Sequence, residues 1–174
     1  MVGLRLVRLI ESHSEALSRG LTEQIHKSER TSDFRRIRAA DLRQGTTEVY
    51  RNLGEWLLQK TESDIEDRFR RIGSRRSAEG VRLPQFVWAL MLTRDYLWRF
   101  LEQEGFADNI VKLHAEHELY QLLNQFFDRA MYYGILGYGD ARQQNKPKSD
   151  LARMEELARS ISLISEHKTA RDTV

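Results

Sequence analysis

At 174 residues the chain has the length of a single domain able to bury its own core, and its 40% hydrophobic and 31% charged residues suit amphipathic helices with solvated outer faces. The 28 basic and 26 acidic residues nearly cancel to a net charge of +2, so charge alone gives no nucleic-acid signature. With no cysteine there are no disulfides, thiol nucleophiles or thiolate metal sites, which points to a reducing, cytoplasmic compartment, and no apolar run approaches the roughly 20 residues needed to span a bilayer.

Two prolines and ten glycines leave little punctuation for a strand-rich fold, so the expected class is all-α. Leu6, Ile10, Leu17, Leu21 and Ile25 recur at helical steps and predict a first amphipathic helix over residues 3–27. A polar, basic stretch follows, in which Thr31-Ser32-Asp33 offers cap chemistry and predicts a corner. Leu42, Val49, Leu53, Trp56 and Leu57 predict a second helix over 39–60. Gly45 and Gly54 each weaken it by up to about 1 kcal/mol unless neighbouring backbone packs against them.

Thr61-Glu62-Ser63-Asp64 supplies the next N-cap, for a helix carrying Ile65, Phe69 and Ile72. Glu79-Gly80-Val81 ends it, and Leu83-Pro84 opens a fourth helix at a first-turn position where proline's missing N–H is harmless. There Phe86, Leu90, Leu97 and Leu101 fill one stripe and Val87, Met91 and Trp98 the adjacent one. These two helices and their turn, residues 64–101, are the element around which the rest is organised.

Asp108 can cap a long last core helix that runs to about residue 137. Ile110, Leu113, His117, Tyr120, Asn124, Phe127 and Met131 line one stripe of it, with Leu119, Leu122, Phe126, Ala130 and Tyr133 on an adjoining one. So wide an apolar perimeter predicts packing inside the subunit on one side and against a second copy on the other, with Leu97 and Leu101 completing a homodimer interface. His117 and Asn124, polar within that seam, would fix its register, and His117 would make it sensitive to pH near about 6.5. The polar stretch 137–148 ends the domain at about residue 140 and leaves 141–148 as a linker. A C-terminal helix over 149–174 then carries a two-repeat seam of Met154, Leu157, Ile161 and Ile164.

Candidate chemistry is sparse. His114 and His117 share a helix face and are the only pair placed to share a metal, but H-A-E-H-E matches no zinc motif and indicates no third ligand, so no metal is expected. His117-Glu118-Leu119 is similar to the phospho-acceptor box of histidine kinases, yet Tyr120-Gln121-Leu122 stands where Arg-x-Pro would continue it and no ATP-binding segment follows. Ser12, His13 and Ser14 point to different sides of a helix and form no triad. The arginines at 68, 70, 71, 75, 76 and 82 have carboxylates nearby to pair with, and the other reading of them is a surface for an acidic partner formed by Arg71, Arg75 and Arg76. No aromatic is interleaved for base stacking, so nucleic acid is not expected, and no enzymatic constellation emerges.

The order of an acidic residue, Arg68-Phe69, Ile72-Gly73-x-Arg75-Arg76, Glu79-Gly80-Val81-x-Leu83 and an aliphatic helix with Arg94 and Trp98 resembles the N-terminal domains of the RsbR/RsbRD type, regulators of bacterial stressosomes. The resemblance extends over about residues 3–140 and is sharpest over 69–83. It implies a globin-like bundle of about five core helices plus the C-terminal helix, generally without haem, that dimerises and passes a signal to an output domain. Nothing after about residue 145 could form a STAS domain or a kinase, so the output is expected in a partner. Residues 70–83, the region equivalent to that of the globin proximal histidine, contain no histidine, and His117, the one weak candidate ligand, lies on a packing seam. No cofactor is therefore expected. Two other readings stay open: a haem- or small-ligand-binding globin-like protein, and a nucleic-acid-binding regulator.

Overall fold

Seven α-helices and one 3-10 segment, with no strand, make up the described residues, 2–104 and 110–144, of the computed structural model. In chain order these are α1 (Val2–Ser12), α2 (Ser14–Lys27), the 3-10 segment (Glu29–Arg36), α3 (Ala39–Arg51), α4 (Leu53–Leu58), α5 (Glu62–Ala78), α6 (Leu83–Gln103) and α7 (Ile110–Gln144). The five predicted core helices are all present, but the first two are each broken into a pair. At the first break the Ser12 hydroxyl donates to the Leu9 carbonyl (2.9 Å), and local bonding of this kind competes with the helical ladder. At the second, the Asn52 side-chain amide takes the Glu48 carbonyl (2.9 Å). Just beyond it the Gly54 N–H, in the first turn of α4, donates to the Glu11 carboxylate of α1 (2.9 Å). A Cβ at Gly54 would lie 3.1 Å from that carboxylate, so here the glycine admits a neighbour, whereas Gly45 has nothing within 4 Å.

The predicted stop and start signals operate as local chemistry. Thr61 and Asp64 form a reciprocal capping box at the head of α5, the Asp64 N–H donating to the Thr61 hydroxyl (3.3 Å) and the Thr61 N–H to the Asp64 carboxylate (2.8 Å). Gly80 turns the chain out of α5 with φ +74°, a left-handed conformation that glycine adopts without cost, and Pro84 sits in the first turn of α6. The core draws on every part of this framework, with Ile10, Leu21, Tyr50, Leu53, Phe86, Leu97, Leu101 and Leu123 all essentially inaccessible.

α7 does not stop at residue 137 but continues to Gln144, because the glycines there serve a helix crossing and not a turn. A Cβ on Gly73 of α5 would fall 1.9 Å from the Gly134 carbonyl oxygen, and one on Gly137 would fall 2.1 Å from the Arg70 carbonyl oxygen. Only hydrogen fits at either place. The close approach is sealed by Ser74, whose hydroxyl donates to the Gly137 carbonyl (2.9 Å), and by the Arg70–Asp140 ion pair (2.6 Å). Tyr138 completes it, stacking on Phe86 and donating its hydroxyl to the Val81 carbonyl (2.8 Å). The compact unit so formed is Met1–Ala141. The proposed cap at Asp108 and the seam from Met154 to Ile164 lie outside the described residues.

Candidate ligand cavity and signalling face

A half-open cavity of about 400 Å³ lies between α3, α5, α6 and α7. Its floor is built from buried side chains that the helical stripes turn inward: Phe34, Leu42, Phe69, Phe86, Ala89 and Phe126. Tyr50, also in the lining, is fully buried and donates to the Thr93 carbonyl (3.2 Å), and that burial pushes its phenol well above the ordinary tyrosine range. Four arginines from α5, at 68, 71, 75 and 76, stand around the cavity with two carboxylates, Asp41 and Glu48.

Most of this charge is already engaged. Arg68 pairs with Glu48 (2.6 Å) and lies over the Trp56 ring, Asp41 is held by Arg38 (3.0 Å), and Arg75 reaches Glu79 (2.9 Å). Arg76 pairs with the same Glu79 and lies over Phe34. Desolvation holds the Arg76 guanidinium below its usual range, although Glu79 works in the other direction. Arg71 differs from the rest: its only bond among the described residues is to the Asp67 carbonyl of its own helix (3.1 Å). The cavity lining contains no histidine, cysteine or methionine, and the Tyr50 hydroxyl is occupied, so the residues present do not fit a haem iron.

The structure corrects several of the expected site residues. Arg76 is only 8% exposed, because it is drawn inward onto Glu79 and Phe34, and it cannot belong to a partner surface with Arg71 and Arg75. Leu97, Leu101 and Phe127 are 1%, 0% and 5% exposed, covered within their own chain and not available to a second copy. Part of that cover on α6 is α2, whose Gly20 approaches the Tyr96 hydroxyl so closely that a Cβ would meet it at 2.0 Å.

On α7 the adjoining stripe of Leu119, Phe126 and Ala130 turns inward, while Tyr120, His117, Asn124 and Met131 keep some or all of their surface. The ring of Tyr120 packs on Trp98 of α6 (4.8 Å between centroids), and His117 is exposed beside the Gln121 amide (3.0 Å). The sequence reading missed Tyr132 and Ile135, which are exposed on the same helix beyond the last stripe residue it named, Met131. The side chains of Ile110, Leu113 and His114 lie outside the described residues, and among those described no group of three or more metal-ligating side chains assembles.

The arginine cluster is largely neutralised inside the chain, through Arg70 with Glu66 (2.7 Å) and Arg82 with Asp33 (2.8 Å) as well as the pairs above. No described helix is long and apolar enough to cross a membrane. Fold and site together define an all-α domain, consistent with the globin-like class, that carries a half-open cavity on one side of α7 and leaves apolar surface on the other. The family model for the RsbT co-antagonist protein rsbRD N-terminal domain matches residues 13–153, from the head of α2 to beyond α7, and the chain belongs to that family. It is a stress-response signalling domain of the RsbR type. No curated protein and no solved structure matches it significantly.

Proposed function

We propose that the domain is a non-enzymatic signal receiver that acts as a homodimer and hands its signal to a protein partner carrying a STAS or kinase output domain. One observation carries the dimer. Of the four large hydrophobic residues exposed among those described, three lie on α7: Tyr120 (49%), Tyr132 (59%) and Ile135 (37%). Tyr120, Asn124, Met131 and Ile135 fall within one narrow arc of that helix at 100° per residue, the arrangement that a facing helix would cover. Arg71 and Arg75, both exposed, remain as the basic surface for an acidic partner. The signal would be a small shift between packed α6 and α7, delivered along α7.

Light scattering at micromolar concentration tests this directly. The expected result is a dimer that Tyr120→Arg combined with Ile135→Arg converts to single chains with unchanged helical circular dichroism. Single chains in the unaltered protein, or a dimer indifferent to both substitutions, would sink the proposal.

A further inference from the structure

We infer that the cavity between α3, α5, α6 and α7 is a binding site for an amphiphilic carboxylate, its apolar body seated among Phe34, Phe69, Phe86 and Phe126 and its head group held at Arg71.

Volume sets the size of the occupant. At about 400 Å³ the cavity falls within the range of small-molecule sites, roughly 300–1,000 Å³. It is also well above the ~150 Å³ that accepts benzene in an apolar core. The floor, made of phenylalanine and leucine side chains, offers an apolar body dispersion contacts and little else.

Charge sets the head group. Both carboxylates of the lining already have arginine partners, Asp41 with Arg38 and Glu48 with Arg68. A cationic ligand would therefore find no lining carboxylate free to receive it and would face Arg71, the one lining guanidinium without a carboxylate partner among the described residues. A neutral ligand would leave Arg71 as it stands, bound only to a backbone carbonyl. An anion supplies what is missing, since a guanidinium fork takes a carboxylate in a planar, charge-assisted geometry. The direction in which Arg76 is shifted agrees, because a further negative charge nearby would offset part of its desolvation.

This assignment deepens the proposed signalling role by naming what is received, and rests on that role only for its purpose. Binding is read separately from assembly. Calorimetric titration of the full chain uses dodecanoate as probe, below its micelle-forming concentration, with dodecan-1-ol as the uncharged counterpart. Dodecanoate is expected to bind saturably at one per chain, and dodecan-1-ol about fivefold more weakly, in keeping with a partly exposed ion pair. Arg71→Ala should weaken dodecanoate by about the same factor and leave dodecan-1-ol unchanged. Ala89→Phe should fill the floor and abolish both, with a cooperative melt confirming that the variant folds; if it does not fold, Leu90→Trp at the same cavity replaces it. No saturable binding by the unaltered chain, equal affinity in Arg71→Ala, or binding that survives the filled cavity would each overturn the assignment. Light scattering on the same samples separates the two readings: binding by single chains removes the dimer and keeps the site, and a dimer that binds nothing does the reverse.

Discussion

Gln85 holds Asp33 across 52 residues, and Asp33 in turn caps the helix on which Gln85 lies. The Gln85 side-chain carbonyl accepts the Asp33 N–H at 2.7 Å, and the Asp33 carboxylate accepts the N–H of Arg82, the N-cap of α6, at 3.1 Å. The Gln85 amide also donates to the Ser32 hydroxyl (3.2 Å), so the 3-10 corner is tied to the start of α6, the helix that forms one wall of the cavity. Gln85→Ala should strand the Asp33 amide and cost about 1–3 kcal/mol in urea unfolding. A loss near zero would mean that water replaces the bond freely.

The glycine crossing of α5 and α7 makes a sharper prediction. A methyl group at Gly73 or Gly137 has to push two backbones apart, so Gly73→Ala should cost about 3 kcal/mol or more. Gly45→Ala, the same change in a helix with open space around it, should stabilise by about 0.5–1 kcal/mol. Thermal melts of the two variants should therefore move in opposite directions.

Asp33 and Asp64 predict how the fold responds to acid. Hydrogen bonds from Arg82, side chain before backbone, hold the Asp33 carboxyl below the usual carboxylate range, and the Thr61 backbone N–H does the same for Asp64. Both folded-state values are depressed, so their stabilisation is complete above the unfolded value of about 3.9 and disappears as pH falls through the folded values. Asp33→Asn with Asp64→Asn should lower the urea midpoint at neutral pH and flatten its fall below about pH 4. An acid limb as steep as that of the unaltered protein would contradict this.

Two ion pairs made by arginines of α5 should differ in weight. Glu79→Ala leaves the buried Arg76 guanidinium without its carboxylate and should cost about 3 kcal/mol. Asp140→Ala releases the Arg70 guanidinium toward Glu66 and water and should cost below about 1 kcal/mol. Equal costs from denaturant melts would show that Arg76 finds other support.

What could be read from the sequence was whatever depends on neighbours along the chain. The cap at Thr61 and Asp64, the turn at Gly80 and the opening proline at 84 are set within four residues, and the inward faces of α5 and α6 follow from helical period. The breaks at His13 and Asn52 escaped because apolar spacing runs straight through them while side chains take over the backbone bonds. Arg76 was misplaced because its partners, Glu79 and Phe34, are assembled by the fold around a residue type that usually faces solvent. The cavity shows the same limit. Leu42, Phe69, Phe86 and Phe126 were visible on stripes of separate helices and Phe34 and Ala89 were not, and the gap where they meet belongs to no one segment.

The crossing at Gly73, Gly134 and Gly137 has a mechanical consequence. α7 is one unbroken helix of 35 residues, about 50 Å long at 1.5 Å per residue, and it touches α5 most intimately about three-quarters of the way along. Backbones in direct contact leave no side-chain cushion to absorb motion, so the crossing behaves as a fulcrum. A tilt imposed on the Tyr120 end is then returned at the Gln144 end with its direction reversed, and the shorter arm delivers it over a smaller arc.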